Sequence, residues 1–219
     1  IDGGFIRGRE PDKRKAGWFE VIVGKSLLKD EPSKRFAFVQ TYDEKPKRRL
    51  FETLRSHGMQ MNLDVTFLSD GGDDVRELQY YLNPQAEHSL DWFHVTMKIT
   101  AMRQIAKGIQ DATFVEKMLT FLDRVKWRLW HGHVAKALWT LDWMSDDCYC
   151  EVKSDARREQ LYQALLEYYT YIRNNREFIP NYAERYRYDE IISTAFAESA
   201  INEVVSKRMV KKQQMRWTK

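Results

Sequence analysis

The hydrophobic period changes partway along this chain, and that change restricts its possible folds more than any other feature. The first third alternates. Residues 1–7 form a short apolar run with two glycines. Trp18 to Leu28 sets Phe19, Val21 and Val23 against Glu20, Ile22 and Lys25. Arg35 to Tyr42 sets Phe36, Phe38, Gln40 and Tyr42 against Ala37, Val39 and Thr41. Turn-like stretches separate these runs, so three antiparallel strands are predicted.

The period then lengthens. Leu50, Phe51, Leu54 and Met59 recur at helical spacing within 46–59, with Lys and Arg on the other face. Asp64 to Ser69 reads as a buried strand broken by Gly71-Gly72. Asp73 is a fair N-cap for a helix reaching Leu82, and Ser89 to Val95 reads as another short strand. Strand-helix alternation here predicts parallel strands beside the antiparallel ones. From about 96 to 188 no strand pattern remains. Ile99, Met102, Ile105 and Ile109 form one apolar stripe. Val115, Leu119, Leu122, Val125 and Leu129 form a second, and Leu161, Leu165, Tyr168, Tyr169 and Ile172 a third. Trp127, Trp130, Trp139 and Trp143 fall in this block and are expected mostly in its core, though one exposed ring could stack on a flipped or hairpin-end base. A last helix is predicted from about Ser193 to Val210. The expected α/β fold is therefore a mixed five-stranded sheet, three antiparallel strands followed by parallel ones, with an all-helical insertion before the final helix. The corresponding segments are 1–95, 96–188 and 189–219.

A chain of 219 residues hides roughly 70% of its unfolded surface on folding. The apolar fraction of 43% excludes a disordered chain. No run of about 18 apolar residues is present, so no membrane span is expected. The two cysteines, Cys148 and Cys150, flank a single residue. A disulfide there would be strained, so reduced thiols and a cytoplasmic setting are expected. His131 and His133 with Cys148 and Cys150 offer zinc-type donors, but their spacing matches no structural zinc pattern.

Three acids have the placement that phosphodiester chemistry asks for. Two divalent ions about 3.5–4 Å apart can activate an attacking oxygen and stabilise a leaving one. Mg²⁺ or Mn²⁺ takes hard oxygen donors, and these must converge from separate elements. Asp2 stands in the first strand before Gly3-Gly4. Asp70 ends the fourth strand, at the carboxyl edge where open α/β sheets bind ligands. Glu198 lies in the last helix among Ala195, Phe196, Ala197 and Ala200. Beyond Glu203 the chain carries Lys207, Arg208, Lys211, Lys212, Arg216 and Lys219 and no acid. A one-sign cluster of this kind suits a phosphate backbone.

The strings Ile-Asp-Gly-Gly (1–4), Phe-Leu-Ser-Asp-Gly (67–71), Asp-Trp-Phe-His (91–94) and Ile-Ser-Thr-Ala-Phe-Ala-Glu-Ser (192–199) carry a family resemblance. So do Val-Val-Ser-Lys-Arg (204–208) and Lys-Lys-Gln-Gln-Met-Arg-Trp (211–217). Together they resemble bacterial insertion-sequence transposases of the ISKra type. The resemblance implies an RNase H-like fold and an acidic triad, Asp2, Asp70 and Glu198, that holds two Mg²⁺ or Mn²⁺ ions. That triad would cut the transposon ends and transfer the 3′-hydroxyl into target DNA. It further implies that Asp91 and His94 form the accessory D-x-x-H motif of Mutator-like relatives. Lys207, Arg208, Lys211, Lys212 and Arg216 would contact DNA. The expected partners are double-stranded DNA, at transposon ends and target, and further copies of the chain in a dimer or larger assembly. Neither a membrane nor a nucleotide cofactor is expected. An upstream DNA-binding region and a bacterial nucleoid location are. Two rivals remain: a nuclease on the same fold that only hydrolyses, and a transposase-derived DNA-binding protein without activity.

Overall fold

The computed structural model describes residues 1–7, 18–28, 31–39, 45–60, 62–149 and 155–194; for 2–7, 18–21, 39, 46 and 74 it describes the backbone alone. The predicted final helix, with Glu198 and the basic residues 207–219, lies outside these residues. Among the described residues the protein is mixed α/β, mostly helical, with two small sheets. It divides into two compact units, 1–88 with 194–219, and 89–193.

In the first unit, β1 (Asp2–Arg7), β2 (Trp18–Ser26) and β3 (Lys34–Val39) form an antiparallel meander. The register pairs Asp2 with Val23 and Gly24 with Phe36. The alternation sets this register, because a one-residue slip would turn Phe38 from the core to solvent. Ile22 and Val23 are successive residues on opposite faces of the central strand, and both are buried. This sheet is therefore covered on both sides at its centre. Gly24 leaves room for the Phe36 ring, which lies directly over it.

Helix α1 (Pro46–Ser56) follows, with Pro46 at the start where a missing N–H costs nothing. Strand β4 (Thr66–Ser69), helix α2 (Asp73–Leu82) and strand β5 (Glu87–Leu90) complete the alternation. Strands β4 and β5 pair in parallel, as the α2 crossover requires. Gly72, not Asp73, is the N-cap of α2. Leu50, Leu54, Phe67, Leu78 and Leu82 close one apolar core with Ile22 and Phe38. Both sheets thus share a core, and the backbone nitrogen of Ile1 donates to the Leu68 carbonyl at 2.7 Å. The described strands nonetheless form sheets of three and two, not a single sheet of five.

The second unit is a helical array: α3 (Trp92–Lys107), α4 (Ala112–Trp130), α5 (Val134–Tyr149), α6 (Ala156–Asn174) and the short α7 (Tyr182–Arg187). The helical stripes read from the sequence meet here, with Ile99, Met102, Leu122, Val125, Leu129, Leu161, Leu165 and Ile172 in one core. Aspartates at 91, 111 and 155 cap α3, α4 and α6 by accepting backbone N–H bonds. Arg158 is buried, packs on the Phe114 ring and reaches the Asp111 carboxylate at 2.8 Å, tying α6 to the start of α4. No helix among the described residues is long and apolar enough to cross a membrane.

Two expectations change. The strand expected at 89–95 is shorter and earlier: β5 runs from Glu87 to Leu90, and Trp92 already begins α3. Its aromatic and β-branched residues imitate a strand, but the Asp91 carboxylate accepts from the Phe93 N–H and starts a helix. The tryptophans are not all core. Trp130 packs against Trp92 and Tyr182, whereas Trp127 and Trp139 are 64% and 67% exposed.

Candidate active site

Asp70 follows directly after β4, where the backbone turns sharply. Gly71 takes a φ of 89°, a left-handed value that a side chain would strain. Gly72 N–H donates to Asp70 Oδ1 at 3.0 Å, and Gly71 N–H donates to Ser69 Oγ at 3.2 Å. This Asx-type turn fixes one carboxylate oxygen of Asp70 against the backbone. The residue is half-buried.

His88 on β5 supports the same turn. Its Nε2 shares a 2.8 Å hydrogen bond with the buried Ser69 Oγ. Burial, then the Arg76 guanidinium and the chain's amino group, push the His88 pKa down to about 4, against the opposing pull of Asp70. A neutral imidazole therefore links β5 to the end of β4 at ordinary pH. Sequence reading missed His88. The signal available was a histidine on a short strand after a crossover helix, which by itself does not point to a partner.

Asp2 lies at the first position of β1, opposite Val23, and its neighbour Ile1 bonds to Leu68. The start of β1 is thus beside the end of β4, two residues before Asp70. The side chain of Asp2 is outside the described set, and so is Glu198. Among the described residues, no three His, Cys, Asp or Glu side chains gather as a metal-holding group.

In the other unit, Asp91 and His94 come together through one helical turn. Asp91 is fully buried; Oδ1 accepts the Phe93 N–H at 3.0 Å, and Oδ2 lies 3.6 Å from His94 Nε2. They occupy the N-cap and third positions of α3, the spacing of a capping box with histidine in the reciprocal place. Trp92 N–H donates to the Ile192 carbonyl at 3.0 Å.

The zinc-type donors are not one group. Cys148 is buried in the helical core with its thiol toward the Arg158 carbonyl. His133 precedes α5 and Cys148 sits near its other end, about 22 Å away at 1.5 Å per residue. One zinc with ligand bonds of about 2.0–2.3 Å cannot span that distance. Cys150 is outside the described residues.

No family model, curated protein or solved structure matches this chain.

Proposed function

We propose that this chain is the catalytic core of a DNA transposase, built on an RNase H-like sheet. It would cleave phosphodiester bonds at transposon ends and join the 3′-hydroxyl to target DNA. The observation that carries this reading is the hydrogen bond from Ile1 to Leu68. It favours a strand order of β3-β2-β1-β4-β5, in which Asp2 and Asp70 share one edge. The two-sided burial of β2 and the parallel β4-α2-β5 crossover support the same order.

Asp2, Asp70 and Glu198 would hold a pair of Mg²⁺ or Mn²⁺ ions. The donor set is all carboxylate oxygen, which suits hard cations. When bound, such ions polarise the scissile phosphate and activate the attacking oxygen. The protein's own part is geometric. The Gly71-Gly72 turn holds the Asp70 carboxylate in place through the Gly72 N–H. His88 and Ser69 anchor the strand end from which Asp70 projects. Asp91 and His94 serve as accessory groups, and the basic segment from Lys207 to Arg216 follows the DNA backbone. A homodimer or larger assembly on double-stranded DNA fits a reaction with two element ends.

The test is Asp70→Asn in the full chain. Mn²⁺ binding followed by calorimetry should weaken by at least about tenfold, and metal-dependent plasmid nicking by about 100-fold or more. Unchanged Mn²⁺ binding and nicking in Asp70→Asn overturn the assignment. Nicking without joining of a 3′-hydroxyl donor would favour the purely hydrolytic nuclease.

A further inference from the structure

The tip of the α4–α5 hairpin carries a surface that the core does not use. Residues 124–141 contain Arg124, Lys126, Arg128 and Lys136, two histidines, three tryptophans and no acid. Helical phase explains which way the rings point. On α4, Leu122, Val125 and Leu129 are buried, and Trp127 stands on the opposite side. On α5, Ala137, Leu141 and Met144 are buried, and Trp139 stands on the opposite side. Arg128 reaches across to the Lys136 carbonyl at 2.8 Å and to Thr140 Oγ1, which sets the antiparallel pair in register. Trp127 and Trp139 therefore both point away from the buried core, within about two residues of the same level along the hairpin. The Trp127 ring is also held, meeting the His131 ring edge to face at 4.3 Å.

Two large indoles left this open on a small unit ask for an occupant. The cores of interfaces between protein chains are depleted of charge, whereas here the cations interleave with the rings. Cations that neutralise phosphates beside flat rings that stack on bases are the pairing used for single-stranded nucleic acid. A duplex offers phosphates but hides its base faces. We propose that the α4–α5 tip binds single-stranded DNA, with Trp127 and Trp139 stacking on unpaired bases and Lys126, Lys136 and Arg124 tracking the backbone. Only the choice of DNA over RNA rests on the transposase reading, and metal-dependent cleavage is not needed for this binding, so the two fail separately.

The experiment is fluorescence anisotropy with labelled dT12, U12 and a 12-base-pair duplex on the full chain. Both rings are exposed, so Trp127→Ala/Trp139→Ala leaves the core intact, and an unchanged Tm checks this. The double variant should lose at least about 25-fold in dT12 affinity, from a stacking loss of roughly fivefold or more per ring. Duplex affinity should stay within about twofold. Trp127→Phe/Trp139→Phe should restore most of the loss, and Lys126→Glu/Lys136→Glu should weaken dT12 binding and flatten its salt dependence. The proposal is overturned if the Ala double variant binds dT12 within about twofold of the parent, or if duplex affinity falls as far as dT12 affinity. It is also overturned if U12 binds more tightly than dT12, or if sedimentation shows the rings instead joining two copies of the chain.

Discussion

His88 predicts an acid sensitivity confined to one unit of the protein. In the unfolded chain a histidine titrates near 6.5, whereas burial and Arg76 hold folded His88 near 4. Folding therefore excludes a proton from this ring. Its stabilising contribution is complete above pH 6.5, falls as pH drops from 6.5 toward 4, and is flat below that. Between pH 7.5 and pH 5 this linkage amounts to about 2 kcal/mol when the full separation of the two values is used. The ring is only half-buried, and solvent screening reduces the expected loss to about 1 kcal/mol. His88→Gln keeps a hydrogen-bonding side chain for Ser69 and cannot titrate. Urea unfolding of metal-free protein at both pH values gives the comparison: the parent should lose about 1 kcal/mol more than His88→Gln on acidification. An NMR titration of the imidazole checks the cause directly. A His88 resonance titrating at or above pH 6, or equal acid losses in both proteins, refutes the argument.

Other perturbations separate the remaining contributions. Leu122→Ala removes a fully buried side chain from the helical core and should cost about 3–4 kcal/mol by urea unfolding. Gly71→Ala places a side chain at a φ of 89° and should cost about 1–2 kcal/mol, with weaker Mn²⁺ binding because the turn holding Asp70 shifts. Asp111→Ala should lower Tm more than Asp155→Ala. Both lose a helix cap, but only the first strips Arg158 of its carboxylate.

How much of this was legible depended on punctuation. Helix α2 ends at the predicted Leu82 and starts one residue earlier than an Asp73 cap implies, because Gly71-Gly72 before it and Asn83-Pro84 after it stop any other continuation. The first three strands were legible from alternation alone, since Phe38 and its neighbours tolerate only one register. The boundary between β5 and α3 was not. Trp92, Phe93 and Val95 carry strong strand preferences, and only the bond from the Phe93 N–H to Asp91 decides for helix. The candidate site divides in the same way. Asp70 before a glycine pair announces a turn at a strand end, and the structure has that turn. The support from His88 and Ser69 depends on two strands pairing across a crossover, which periodicity does not encode. The outward tryptophans were within reach of the sequence. Trp127 falls on the polar side of the stripe formed by Leu122, Val125 and Leu129, but with four indoles in one mostly buried helical block the pattern did not say which ring is exposed.

The Asp91–His94 pair can be divided into a structural and a chemical contribution. As an N-cap, Asp91 needs only a side-chain oxygen for the Phe93 N–H, and Asn supplies one equally well. A fully buried carboxylate is more than a cap requires, because desolvating its charge is costly without a cationic or hydrogen-bonding partner. The neighbouring His94 lies 3.6 Å from its second oxygen. If capping were the whole purpose, Asp91→Asn would be silent in every assay. With the accessory role proposed here, Asp91→Asn keeps stability within about 1 kcal/mol by urea unfolding, while metal-dependent nicking falls by about tenfold or more. Asp91→Ala, which removes the cap as well, should lose both. Nicking at the parental rate in Asp91→Asn would reduce the motif to a helix start and remove both residues from the candidate chemistry.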